Sequence, residues 1–232
     1  MGSRYALAWL ATAALGGCSP SPEGTGDEGA TTAAVKGVTA SRAAATAATA
    51  PAQEPAALIA TCTYPVAPGE SAASVLERFG KDARRETLGG AEGAEFAGIV
   101  LWPEDPARRV EIVLSEDEDQ NAAVLRFGEG SRWQVRGLRV GDGLAKLVAA
   151  NGAPVGFYGF AWDYGGYVSE WNGGRLSRGK GGCGSSVRLS PPDGADIPAS
   201  LSGDRVVRSD EKGVAALAPV ITEVSLDLAP SE

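Results

Sequence analysis

Histidine is missing from all 232 residues of the chain. That removes His-based triads, His general bases and imidazole metal ligands. Cysteine is scarce: the chain has three, at Cys18, Cys62 and Cys183. A structural zinc site needs about four Cys or His ligands, so that class is excluded too. Positive charge is in short supply, with 21 Lys and Arg against 29 Asp and Glu, a net charge of −8. Nucleic-acid phosphates demand Lys and Arg, so no nucleic-acid partner is expected. Acidity allows a basic partner without requiring one. Long apolar runs are lacking as well. The longest, Tyr5 to Leu15, falls short of the roughly 20 residues that cross a bilayer.

What the N-terminus has is an address. Arg4, the apolar run and the small exit Gly16-Gly17 are the three parts of a secretory signal over residues 1–17. Leu15-Gly16-Gly17-Cys18 resembles the lipobox of bacterial lipoproteins. The resemblance implies a lipid on Cys18, which then becomes the mature N-terminus. Ser19 in place of Asp resembles the outer-membrane default, so the expected location is the cell envelope, lipid-anchored, on the outer membrane facing the periplasm. Losing Arg4 with the signal leaves 20 basic and 29 acidic residues, or −9. Such a chain is repelled by anionic headgroups, so the lipid must do the anchoring.

Residues 18–56 are rich in Ala, Thr, Pro, Gly and Glu and have no aromatics. A stretch of this kind buries too little surface to offset its ordering entropy. It reads as a disordered tether, reaching on the order of 30–35 Å as a coil. One folded domain is expected over 57–232. With Cys18 lipidated, Cys62 and Cys183 are left as an even pair in an oxidising compartment, and a disulfide between them is expected. The alternative is two buried thiols.

The domain carries a weak internal repeat, 69–128 against 141–189. Gly69-Glu-Ser-Ala-Ala-Ser-Val-Leu-Glu-Arg-Phe-Gly80 aligns with Gly141-Asp-Gly-Leu-Ala-Lys-Leu-Val-Ala-Ala-Asn-Gly152. Ala72, Val75, Leu76 and Phe79 form the i, i+3, i+4, i+7 stripe of an amphipathic helix, and Leu144, Leu147 and Val148 repeat it until Asn151 breaks it. Glu70 or Ser71, and Asp142, are placed to cap the helix starts; Gly80 and Gly152 stand where helices end. Strand material follows each helix: 98–102 and 110–114 around a Pro-rich turn, then 155–162 and 167–171 around Asp163 to Gly166. Further strands are expected at 123–127, 186–189 and 220–228. In the last, Val220, Thr222, Val224, Leu226 and Leu228 alternate with Ile221, Glu223, Ser225 and Asp227. The expected class is α+β: antiparallel sheet with short helices, in two helix-then-hairpin units after the tether. This layout resembles the tandem helix-plus-sheet modules of beta-lactamase-inhibitor and small outer-membrane assembly lipoprotein groups. The strings Leu101 to Arg109 and Phe160 to Gly166 resemble marks of a family of bacterial exported proteins. Neither resemblance implies an activity.

Two motifs fail at defining positions. Gly174 to Lys180 fits a phosphate loop until Gly181 stands where Ser or Thr should hold magnesium, so no nucleotide is expected. Asp117, Asp119 and Asn121 begin a calcium loop, but Ala122 and Gly128 replace its Gly and bidentate Glu. No metal, cofactor or catalytic residue is assigned. Arg108 and Arg109 beside Glu104 and Asp105 are expected to form local surface ion pairs. The candidate ligand-binding residues are Trp162, Asp163, Tyr164, Tyr167 and Trp171, with Glu170 beside them. Strand alternation places Trp162 with Tyr164, and Tyr167 with Trp171. Aromatics beside carboxylates suit a sugar ring, and suit a hairpin packed on a core equally well. The functional expectation is a non-catalytic binding or accessory module of the envelope, whose partner is an envelope protein or glycan. The alternatives are carbohydrate or peptidoglycan-fragment binding, a carboxylate-based hydrolase using a pair such as Asp163 and Glu170, and inhibition of a basic secreted enzyme.

Overall fold

The computed structural model describes residues 57–118, 120–177 and 183–228. The signal, Cys18 and the tether lie outside the described residues, as do Asp119 and the Lys180 end of the phosphate-loop lookalike.

Both expected helices form, as α1 (Ala72–Phe79) and α2 (Leu144–Asn151). Ser71 caps α1, its hydroxyl accepting from Ser74 N at 3.3 Å. Asp142 does not cap α2. Its carboxylate accepts from Arg139 N and pairs with Lys146, and Gly143 takes the N-cap position. Gly80 and Gly152 close the helices at positive φ, their N–H groups returning to Leu76 O and Val148 O. The stripe-breaking Asn151 is fully buried. Its Nδ2 donates to Ala153 O and Trp171 O, and its Oδ1 accepts from Leu176 N. A buried amide so satisfied staples the 171–176 loop to the helix. Gly174 fits there because a Cβ would lie 2.1 Å from Asn151 Oδ1.

The strands are β1 (Ile59–Ala60), β2 (Ala83–Gly89), β3 (Glu95–Leu101), β4 (Val110–Leu114), β5 (Ala122–Phe127), β6 (Gln134–Val135), β7 (Gly156–Tyr158), β8 (Val168–Glu170), β9 (Gly184–Ser190), β10 (Val206–Arg208) and β11 (Val220–Asp227). Six make an antiparallel sheet in the order β2-β3-β4-β5-β11-β9. Three more run β10-β7-β8. An isolated antiparallel bridge, Tyr167 to Arg188, sets the start of β8 against β9. The fold is therefore α+β with mostly antiparallel sheet, as expected. β1 and β6 pair in parallel beside it.

Ile99, Ile112, Leu125 and Leu226 stand directly opposite one another across four strands. They share one core cluster with Ala72 and Val75 of α1 and Leu144 and Leu147 of α2. α1 packs against β2 and β3 of this sheet. The Cys62–Cys183 disulfide forms, with Cα atoms 5.6 Å apart, joining the end of β1 to the start of β9.

Two bulges overturn the expected faces. In β11, Ile221 pairs with Leu189 and Glu223 with Arg188, so Thr222 is the extra residue. Ile221 then joins Val224 and Leu226 in the core, contrary to simple alternation. In β8, Gly156 pairs with Glu170 and Phe157 with Val168, leaving Ser169 extra. Tyr167 and Trp171 consequently do not share a face.

The seam between the two sheets depends on Gly166. Leu189 N donates to Gly166 O at 2.9 Å. Gly166 has φ +81°, and a Cβ on it would lie 1.8 Å from Leu189 O. Gly166→Ala must force β8 away from β9 as well as strain the backbone, and is expected to cost about 2 kcal/mol or more. Denaturant unfolding measures the loss, and faster exchange of the Leu189 amide locates it. A variant within about 0.5 kcal/mol of the parent would mean that the seam is loose.

Candidate functional site

The side of the sheet away from the main core cluster is largely polar, with Val100 and Leu88 buried on it, and strand pairing dictates which residues it carries. Register places Arg84, Val100, Glu111, Arg126, Ser225 and Ser186 in one row across β2, β3, β4, β5, β11 and β9. Beside it, Glu223 of β11 faces Arg188 of β9, which faces Tyr167. The face is concave. β5 lies three strands from β2, about 14 Å at ordinary spacing, yet Arg126 Nη1 donates to Gly89 O at 2.8 Å. Tyr164 OH, in the β7–β8 loop, donates to Glu92 Oε2 in the β2–β3 loop at 3.4 Å. Leu88 lies over Gly98, whose added Cβ would sit 2.3 Å from Leu88 Cδ1.

Ion pairs cross this surface. Arg84 bonds Glu86 and Glu104. Arg109 bonds Glu86 at 3.5 Å and Glu111 at 3.1 Å. Arg126 bonds Glu111 at 2.9 Å. The expected local pairing of Arg108 and Arg109 with Glu104 and Asp105 is therefore corrected. The turn after β3 starts beside β2, Trp102 N donating to Asp82 O, and so gives Glu104 to Arg84; Arg109 pairs with Glu86 and Glu111, while the Arg108 guanidinium sits 4.4 Å over the Trp102 ring. In the middle of the face is a cleft of about 230 Å³, lined by Arg109, Glu111, Arg126, Gly128, Glu129 and Glu223.

Tyr167 is the one candidate that reaches this centre. Its OH donates to Glu223 Oε1 at 3.3 Å, and the Arg188 guanidinium lies 4.9 Å from its ring centroid. Burial, then the Glu223 charge, raises the phenol's pKa. Trp162 and Tyr164 do share a neighbourhood, with ring centroids 5.3 Å apart. Trp162 is half-buried and donates through Nε1 to Gly159 O, whereas Tyr164 is 37% exposed. Asp163 is exposed in the loop, and its backbone carbonyl accepts from Arg188. Trp171 is half-buried and packs on the core. Glu170 ends β8, with Asp163 before its start. The five candidates thus divide: Tyr167 on the concave face, Trp162 to Tyr164 at the loop, Trp171 on the core.

Sequence reasoning missed Glu223, Arg126, Arg188, Glu111 and Glu129. The available signal was the charged residues in otherwise strand-like segments, Arg84 and Glu86 in β2, Glu111 in β4 and Arg126 in β5, which read as an ordinary solvated face. Burial raises the pKa of Glu223 above the ordinary carboxylate value, only partly offset by Arg126, the Tyr167 hydroxyl and Arg188, with Glu111 adding to the rise. The folded chain therefore holds this proton more tightly than the unfolded chain does. Stability from this group is present at low pH and is lost as pH rises from the ordinary carboxylate value through the raised folded one. Glu223→Gln is expected to be more stable than the parent at neutral pH, the two curves converging in acid. Urea midpoints across pH check this; a parent that gains on Glu223→Gln as pH rises would refute it.

A second concavity of about 710 Å³ lies beside α2, lined by Leu144, Val148, Pro154, Ala215, Pro219 and Val220 among others. Its edge groups are already engaged: Ser209 Oγ accepts from Val155 N and Asp210 pairs with Arg208. It offers apolar surface with little to orient a ligand. Among the described residues no group of three or more His, Cys, Asp or Glu side chains is placed to hold a metal ion, and no helix is long and apolar enough to cross a membrane. Comparison of the chain with family models, curated proteins and solved structures returns no match.

Proposed function

We propose that this chain is a non-catalytic binding or accessory module of the bacterial cell envelope. It is held at the outer membrane, facing the periplasm, by a lipid on Cys18 and engages an envelope partner through its concave face. One observation carries the binding reading. The main core cluster lies on one side of the sheet, while the other side is a curved surface of arginines, carboxylates and Tyr167 around buried Val100 and Leu88. Positioned polar groups on a rigid sheet suit recognition.

The test is crosslinking and capture from intact envelopes with the native lipidated protein. A species retained by the parent and by Arg205→Ala, off the concave face, should be lost with Arg109→Ala. Retention by all three, or by none, removes the reading. Cys18→Ala should lose lipid labelling and leave the membrane fraction.

A second reading, glycan binding, has one observation of its own: the exposed Tyr164 ring against Trp162, with Asp163 and Glu92 beside it. Trp162→Ala with Tyr164→Ala should then abolish retention on purified peptidoglycan. Unchanged retention, or none by the parent, would end it.

A further inference from the structure

Asn-Gly occurs twice in the chain, at Asn151-Gly152 and at Asn172-Gly173. The backbone nitrogen that follows an asparagine is a nucleophile toward the side-chain amide carbon, and glycine puts no side chain in its way. The attack closes a five-membered ring, so the reaction is intramolecular. It proceeds only where the amide and the next nitrogen are free to meet, and in this respect the fold separates the two sites.

Asn151 is fully buried. Its Nδ2 donates to Ala153 O and Trp171 O, each at 2.9 Å, and its Oδ1 accepts from Leu176 N. Gly152 N, the nucleophile there, donates to Val148 O at 2.8 Å and closes α2. Reaction at this site requires the helix end and the 171–176 loop to open together. Asn172 and Gly173 are both exposed. They are the central residues of a turn, at φ +49° and +73°, closed by Gly174 N donating to Trp171 O at 2.9 Å. Two successive positive φ values favour Asn-Gly at this place. Gly173 N has no acceptor among the described residues, and a Cβ added at Gly173 would meet nothing within 4 Å. The Asn172 side chain is restrained by one bond, Nδ2 to Pro154 O at 3.1 Å. Exposed bonds of this kind open at small free-energy cost.

We propose that Asn172-Gly173 is a site of spontaneous covalent modification, deamidation of Asn172 through a cyclic imide, and that the fold protects Asn151-Gly152 from the same reaction. Gly173 N gives its proton to solvent base and bonds to Asn172 Cγ. The Cγ–Nδ2 bond breaks, and the side-chain nitrogen takes up a proton and leaves as ammonia. Water then adds to one of the two imide carbonyls and opens the ring. Cleavage at Cγ leaves an aspartate at position 172; cleavage at the main-chain carbonyl leaves an isoaspartate, with one extra carbon in the backbone. Nothing is oxidised or reduced. Either product puts a carboxylate where Nδ2 had donated, and an ionised carboxylate has no proton to offer Pro154 O. The tie between the turn and the segment before β7 is thereby lost, and one negative charge is added. Isoaspartate also opens the turn, because the added carbon displaces Gly174 N from Trp171 O. Asn151 keeps its hold on Trp171 O and Leu176 N, so the loosening ends at the turn.

The test ages the folded protein in mildly alkaline buffer, digests it in acid and maps its peptides by mass. Peptides with Asn172 should acquire the mass of an amide-to-acid exchange, divided between aspartate and isoaspartate. They should do so at least about tenfold faster than peptides with Asn151, which reacts only from a locally opened state. In urea with the disulfide reduced, the two rates should converge. Asn172→Asp, the mimic of the simpler product, should speed exchange of the Gly174 amide and leave the Leu176 amide protected. Equal conversion of the two sites in the folded protein would overturn the proposal. So would an Asn172 that stays intact in the folded protein after the unfolded chain has converted. Unchanged Gly174 exchange in Asn172→Asp would overturn the structural consequence. None of these outcomes bears on the concave-face reading, which envelope capture decides separately.

Discussion

Replacing Cys62 and Cys183 together with serine is expected to lower the unfolding free energy by about 5 kcal/mol. The bond closes a loop with a sequence separation of 121 residues. In the chain-entropy treatment the stabilisation grows with the logarithm of loop length, giving about 5 kcal/mol for this one. Domains are worth only about 5–15 kcal/mol in all, so the reduced protein would be marginal. The structural consequence is specific. β1 is a two-residue strand held only to β6, and it lies where the chain enters the described domain. Without the bond, β1 and the start of β9 are expected to detach first. Guanidinium unfolding with and without reductant gives the size, and native-state exchange gives the place. A loss under about 1 kcal/mol would mean that the unfolded chain already holds the two ends near one another. Because Arg136 donates to Cys183 O, a modest local rearrangement around Arg136 should accompany the larger effect.

Trp133→Ala is expected to cost about 3–5 kcal/mol, the range for emptying a large aromatic site in a core. Trp133 is 1% exposed. Its ring lies 5.9 Å from Trp102, 5.7 Å from Phe127 and 5.8 Å from Tyr64, and Phe79 of α1 packs edge-on against Trp102. One indole therefore ties the chain entry, α1, β5 and the turn after β3 into a single packing unit. Its Nε1 donates to Arg108 O at 2.8 Å, so the same residue also holds the turn between β3 and β4. Trp133→Phe keeps most of the ring contact and loses that hydrogen bond, and should cost about 1–2 kcal/mol. The comparison separates packing from hydrogen bonding. If both variants cost the same, the hydrogen bond rather than the ring is what matters.

Trp133 has no sequence signature of burial because nothing in Ser131-Arg132-Trp133-Gln134 has a period. Its burial comes from four segments far apart in the chain. β2 lacks a sequence signal for a different reason: Ala83-Arg-Arg-Glu-Thr-Leu-Gly89 is largely polar, as suits an edge strand exposed to water. β3, β4, β5, β9 and β11 were legible because each is apolar at alternate or successive positions against one core. The helices were legible through a stripe and a closing glycine. Asn151 looked like a flaw in its stripe and is instead a buried, fully bonded amide.

The candidate site was less legible than the fold. Simple alternation pairs Tyr167 with the wrong companion, because Ser169 is an extra residue and each such insertion reverses the face of everything after it. Thr222 does the same in β11, taking Ile221 into the core while Glu223 remains on the concave face.

The sequence by itself determined the α+β class, the two helices, most long strands and the pairing of Cys62 with Cys183. These follow from local periodicity, capping residues and an even cysteine count, all of which act over short stretches of chain or need only arithmetic. Only the tertiary structure decided that the polar side of the sheet is concave, and that Glu223 meets Tyr167 in the field of Arg126 and Arg188. Those outcomes depend on β5 lying beside β11, on β9 meeting β8, and on two bulges. Alternation states which face a residue takes; it does not state which distant strand supplies the neighbour, or where one extra residue resets the count.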